Sequence, residues 1–188
     1  MPGSSLWLLP LPDSELYKTI QNLILQDVPA VYHDAAPPQF TPHITLTSDT
    51  ISDQEDPQDW LDNITLPESL RDLQVNIKQL DAGNVFFQSL IMKCENSMEL
   101  CELAVHCRVA GVKDTDAKAA ETSGISREEV LGKFDDVKAK IKDVKKRLPG
   151  CRKATGAEIW LVPTFKTIDQ WKPVARRRVE GVSWQWRT

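Results

Sequence analysis

Two apolar runs of strand length stand near opposite ends of the chain, and each is stopped by a proline. One is Ser5–Pro10 (SLWLLP), the other Ala157–Pro163 (AEIWLVP). Runs this short and this apolar are buried strands, because a helix needs a longer amphipathic pattern and a proline cannot donate to a sheet ladder. The two runs echo one another: each has Trp, then Leu, an aliphatic residue and Pro. That is a weak internal repeat of the kind a duplicated fold leaves behind. No apolar run approaches the roughly 20 residues that cross a bilayer. The opening MPGSSLWLLPLPDSE lacks a basic start, and prolines interrupt it, so it does not read as a signal peptide.

Between the two runs, strand and helix patterns mix. A helix is expected from Asp13 or Ser14 to Gln26, with Leu16, Tyr17, Ile20, Leu23 and Ile24 at helical spacing and Pro29 closing it. Phe40–Ser48 (FTPHITLTS) reads as a strand, and Asp53–Asp62 as a short helix carrying Trp60. Arg71–Leu80 alternates apolar with polar residues and, through the turn residues Asp81–Asn84, pairs with Val85–Lys93 as a hairpin. Ser97–Val109 is a second long helix. A third starts at a capping box, Ser126 with Glu129, and carries the stripe Val130, Leu131, Phe134, Val137, Ile141, Val144 and Leu148 as far as Gly150. Trp171–Arg178 reads as a last strand. The expected organisation is therefore one domain over residues 1–178 and an irregular, frayed tail over 179–188. The mixed order gives an α+β fold with mainly antiparallel sheet.

Composition narrows the function. At 188 residues and 41% apolar, the chain is long enough to bury one substantial core. Its net charge of −4 argues against wrapping long nucleic acid, but leaves room for a local phosphate site. The eight glycines form neither GxGxxG nor a Walker A loop. Cys94, Cys101, Cys107 and Cys151 contain no CxxC pair and read as buried or half-buried thiols of a reducing compartment. No metal or cofactor is implied. A cytoplasmic monomer acting on a small molecule is expected.

The residues that carry chemistry are few. His43, Thr45 and Thr47 lie at i, i+2 and i+4 of an expected strand, which puts imidazole and two hydroxyls on one face and Ile44 and Leu46 on the other. Imidazole exchanges a proton near neutral pH, and a hydroxyl two residues on can bond a phosphate oxygen held by the same histidine. Such a tripeptide also arises by chance on wet strands. His33 reads as a surface loop histidine, and His106, beside Cys107, as a partly buried helix histidine. With the first strand paired alongside, Trp7 and Phe40 are the expected walls of a cleft at His43.

FTPHITLT resembles the first signature of the two-histidine phosphoesterases. SLWLLP followed by a capped helix resembles that family's start, and AEIWLVP with Trp171-Lys172 resembles the end of its fungal branch, the 2′,3′-cyclic-nucleotide 3′-phosphodiesterases. The resemblance runs from about Ser4 to about Ala175. It implies a bilobal fold around a central cleft, each half supplying one His-x-Thr or His-x-Ser strand. It implies His43 as a catalytic residue and Thr45 as a phosphate ligand, with no metal. The implied substrates are ADP-ribose 1″,2″-cyclic phosphate, a by-product of tRNA splicing, and nucleoside 2′,3′-cyclic phosphates, opened to the 2′-phosphate. Golgi association is known among fungal relatives.

The sequence departs from that pattern in one place. The second signature belongs between the second and third helices, where Ala110–Ile125 (AGVKDTDAKAAETSGI) has no histidine. His106 is followed by Cys107-Arg108, so it does not supply the motif. A strand's worth of sequence is missing near Glu121–Ser123. The alternative to a hydrolase is then an impaired member that binds a nucleotide or an RNA end.

Overall fold

The computed structural model of the chain describes residues 3–32, 41–50, 56–81, 90–111, 131–147 and 152–187. Their backbone forms a six-stranded sheet in the order β2-β1-β5-β6-β3-β4. The strands are β1 (Ser4–Pro10), β2 (Ile44–Thr50), β3 (Gln74–Asp81), β4 (Ile91–Cys94), β5 (Lys153–Val162) and β6 (Ala175–Trp186). Every pairing is antiparallel except β3 with β6. Four α-helices accompany them among the described residues: α1 (Glu15–Asn22), α2 (Pro57–Asp62), α3 (Met98–Gly111) and α4 (Phe134–Arg147). The expected α+β class with mainly antiparallel sheet is what forms.

Local chemistry accounts for the boundaries. Ser14 caps α1, its Oγ accepting from the Tyr17 amide at 3.2 Å. Regular helix ends at Asn22, earlier than expected, and a π-turn over Leu23–Asp27 carries the chain on, the Val28 amide reaching the Leu23 carbonyl. Asp56 caps α2 by accepting from the amides of Gln58 and Asp59. The strand expected from Arg71 starts only at Gln74, because Glu68–Asp72 coil into a 3₁₀ turn first. The turn Asp81–Asn84 beyond its first residue, and the capping box of the third helix, lie outside the described residues. Along that helix the apolar stripe is buried at Val137 and Val144, while Leu131 stays exposed.

The C-terminal tail needs the largest correction. The irregular segment expected over 179–188 is the second half of β6, a strand of twelve residues. It lies between β5 and β3, with Val75 opposite Trp184 and Ile77 opposite Trp186. Both tryptophans are buried, at 3% exposure each. Their spacing of two is the period of a strand, so they enter the same side of the sheet as Val179's core neighbours once Gly181 shifts the phase. Gly181 takes φ +84°, which other residues rarely adopt, and lies tight against the Arg71 backbone.

The two faces of the sheet differ. On one, Leu6, Leu8, Ile159, Leu161, Val75 and Val182 meet Leu16 and Ile20 of α1, Leu103 and Cys107 of α3 and Val144 of α4 in the main core. On the other lies a small aromatic cluster, Trp7, Leu9, Trp160 and Val162, with Tyr17 and Trp171 against it. Burying aromatic rings gives a large apolar gain, while their edges and indole N–H groups still demand polar partners. That second face is the one on which His43 stacks.

Candidate active site

Antiparallel register decides which side chains share a face, since directly opposed residues project to the same side. Trp7 lies opposite Thr45 on β2 and opposite Trp160 on β5. Thr45 therefore belongs to the aromatic face, and it is exposed there. His43 sits just ahead of β2 rather than within it. It nonetheless keeps the extended alternation, for its imidazole stacks on Trp7 with centroids 3.6 Å apart and planes 9° apart. Trp171 meets the same Trp7 ring edge-on at 5.9 Å and donates from Nε1 to the Lys166 carbonyl at 2.9 Å.

The expected row of His43, Thr45 and Thr47 is broken at its third member. Leu6 opposes Thr47 and Trp7 opposes Thr45, so one residue of β1 faces two of β2. That is a β-bulge at Leu46, and it turns Thr47 over to the core side beside Leu46. Both are 8% exposed. Thr47 is thus a core residue and not a third site hydroxyl.

Trp7 is only 2% exposed, so it forms a floor beneath His43 rather than an open wall. Phe40, the other expected wall, and His33 lie outside the described residues. The structure brings His43, Thr45 and Trp7 together and leaves His106 apart. His106 stands on α3, which packs on the main-core face, and bonds through Nδ1 to the Thr65 carbonyl at 3.0 Å. A cavity of about 550 Å³ opens there, lined by Trp60, Ile64, Val105, His106 and Val109 among others. It is mostly apolar and remote from His43, so its size does not make it the site of acid–base chemistry.

The electrostatics of His43 follow from its mounting. Burial against Trp7 pushes its pKa from 6.5 down to about 4, against the opposing pull of the Thr41 backbone. Nδ1 lies 2.6 Å from the Thr41 carbonyl, which can only accept, so Nδ1 carries the hydrogen. The imidazole is neutral at pH 7, and Nε2 holds the lone pair. This is the protonation state of a base, not of an acid.

Sequence reasoning missed a second group on the same face. The Tyr17 phenol is raised above its usual pKa by burial, and it feels the Thr41 side chain, Arg176 and Glu158. Trp160 donates from Nε1 to Glu158 Oε2 at 2.5 Å, and the Arg176 guanidinium lies 4.4 Å above the Trp160 ring. The echo of SLWLLP in AEIWLVP held the signal, since pairing the two runs puts Trp7 directly opposite Trp160.

No group of three or more His, Cys, Asp or Glu stands in metal-binding arrangement among the described residues. Burial raises the Cys107 thiol to about 12 and the Cys94 thiol to about 11, so neither is a thiolate nucleophile at neutral pH. Cys101, expected buried or half-buried, is exposed on α3, and Cys151 lies outside the described residues. Within the described residues no helix is long and apolar enough to cross a membrane.

The chain is similar to known proteins over most of its length. A family model described as cyclic phosphodiesterase-like protein matches residues 1–130. A 2′,3′-cyclic-nucleotide 3′-phosphodiesterase of Phaeosphaeria nodorum is 31% identical, covering 95% of this chain and 100% of that protein. One from Neurospora crassa is 29% identical, covering 94% of this chain and 99% of its own. The Neurospora alignment runs over 212 residues, more than the 188 of this chain, so that relative contains residues with no counterpart here.

Proposed function

The chain belongs to the cyclic phosphodiesterase-like protein family, and we propose that it opens ribose cyclic phosphates by metal-independent hydrolysis at His43. The observation that supports this best is the mounting of that residue. A neutral imidazole, its Nδ1 hydrogen committed to Thr41, lies flat on Trp7 on the sheet face that also presents the Thr45 hydroxyl.

In this reading Thr45 donates a hydrogen bond to a non-bridging phosphate oxygen. His43 Nε2 takes a proton from the attacking water as the new P–O bond forms. The P–O3′ bond breaks, and O3′ leaves with a proton from solvent, giving the 2′-phosphate and a free 3′-hydroxyl. A pKa of about 4 makes His43 a weak base. An anionic phosphate beside it favours the imidazolium and raises that value toward the working range.

The substrates proposed are nucleoside 2′,3′-cyclic phosphates and ADP-ribose 1″,2″-cyclic phosphate, the latter linking the chain to by-products of tRNA splicing. Incubation with each, followed by phosphorus NMR in excess chelator, tests the reading. A 2′-phosphate resonance from the nucleotide, undiminished by chelator, supports it. No product, or product only when zinc is restored, overturns it.

A second reading has its own support. The chain has three histidines, and His106 faces away from His43. A single positioned group typically contributes about 10²–10⁴-fold, and loss of its partner forfeits a similar factor. An impaired member would bind the product nucleotide at this face with turnover near background. Restoring a His-x-Ser strand between Ala120 and Ser126 distinguishes the two. It raises turnover by orders of magnitude if the missing proton donor is what limits the chain.

A further inference from the structure

Strand register draws a line of side chains straight across the aromatic face: Thr45, Trp7, Trp160, Arg176. Arg178 lies on the same face, opposite Glu158. Arg177, between them, turns the other way and donates to the carbonyls of Leu61 and Ile64 at 3.1 and 2.6 Å. The three arginines thus divide by the period of the strand, one serving the fold and two exposed beside the candidate active site.

Arg176 is held in place. Its amide donates to Gln58 Oε1 at 3.0 Å, and its carbonyl accepts from Gln58 Nε2 at 2.8 Å. Its guanidinium rests over Trp160, whose own N–H is taken by Glu158. Among the described residues neither Arg176 nor Arg178 enters a salt bridge. Tyr17 packs against the same aromatic cluster. A guanidinium lying over an aromatic ring keeps its N–H edge directed outward, and that planar fork matches a phosphate better than an ammonium does.

We infer that Arg176, supported by Arg178, forms a second anion subsite that binds a second phosphate of the nucleotide whose cyclic phosphate sits at His43. The spacing suits one ligand. With strands about 4.8 Å apart, the guanidinium over Trp160 lies about 10 Å from the strand of Thr45, a span comparable to a single nucleotide. The inference rests on the hydrolase reading for the placement of the first phosphate. Its consequence is a preference for substrates phosphorylated at the 5′ position over bare nucleosides.

Calorimetry with two commercial probes, adenosine 2′-phosphate and adenosine 2′,5′-bisphosphate, tests it at fixed ionic strength. The parent is expected to bind the bisphosphate about tenfold more tightly or better. Arg176→Gln, alone and with Arg178→Gln, is expected to abolish that preference while leaving affinity for the 2′-phosphate and the melting temperature unchanged. Arg176→Lys retains part of it. Equal affinities in the parent, or a preference that survives the double substitution, overturns the inference. Hydrolysis of adenosine 2′,3′-cyclic phosphate is measured alongside. A parent that hydrolyses it without preference loses the subsite alone, and one that shows the preference without hydrolysis loses the hydrolase reading alone.

Discussion

Acid should weaken this fold through one residue. In the native chain the His43 imidazole has a pKa of about 4, lowered from 6.5 by burial. Unfolding frees it from Trp7 and restores the ordinary value. Between about pH 6.5 and 4 the unfolded chain therefore binds a proton that the native chain does not. Stability rises with pH across that window, is fully present above it, and is lost as pH falls. The whole shift corresponds to about 3 kcal/mol, of which about 2 kcal/mol is lost by pH 5. Carboxylates titrate over part of the same range, so the comparison needs a variant that lacks only this group. His43→Asn is neutral at every pH and keeps a polar side chain of similar reach. Urea unfolding of both chains at pH 7.5 and pH 5.0 should show the parent losing about 2 kcal/mol more than the variant. Parallel losses would refute the reasoning, as would an imidazole proton resonance that titrates near 6.5 in the folded parent.

Two further substitutions probe the scaffold beneath the site. Trp7→Ala removes a ring that is 2% exposed and that stacks on His43. It should cost about 3–5 kcal/mol in urea unfolding and return the His43 titration toward 6.5 by NMR, while Trp7→Phe does both to a lesser degree. Gly181→Ala places a Cβ 2.7 Å from the Arg71 Cα at a φ of +84°. Thermal unfolding should register a loss of about 1–3 kcal/mol, because the new Cβ meets the backbone of the 3₁₀ turn Glu68–Asp72.

The legible parts of this chain are those where local pattern and global structure agree. SLWLLP and AEIWLVP are read as strands because nothing else suits a short apolar run closed by proline, and they pair as neighbours, β1 with β5. Ser14 is read as a cap and acts as one. The failures occur where backbone irregularity intervenes. A single bulge at Leu46 sends Thr47 to the core, and simple alternation cannot foresee an inserted residue. Trp184 and Trp186 look unpatterned because Gly181 breaks the phase of β6, yet its neighbours β3 and β5 bury both rings. The histidine is visible from its motif. Trp160 and Arg176 are not, because only the register across four strands brings them to its face, and Tyr17 reaches it from α1 through tertiary packing.

The weak basicity of His43 and the lack, among the described residues, of a second histidine beside it bear together on the proposed reaction. On the proposed hydrolase reading, proton transfer at the leaving oxygen then falls to solvent. A phosphate bound near Nε2, as proposed, would raise the imidazole pKa, so ligand affinity and proton uptake would be linked in the same site.

The most direct test is the ratio of turnover in the parent and in His43→Ala, measured on adenosine 2′,3′-cyclic phosphate with unfolding curves to establish that both chains are native. His43 as the base requires the variant to fall by about 10²–10⁴-fold, toward the uncatalysed rate, with the fold retained. A variant that is folded and hydrolyses the cyclic phosphate as fast as the parent would contradict the assignment of this site.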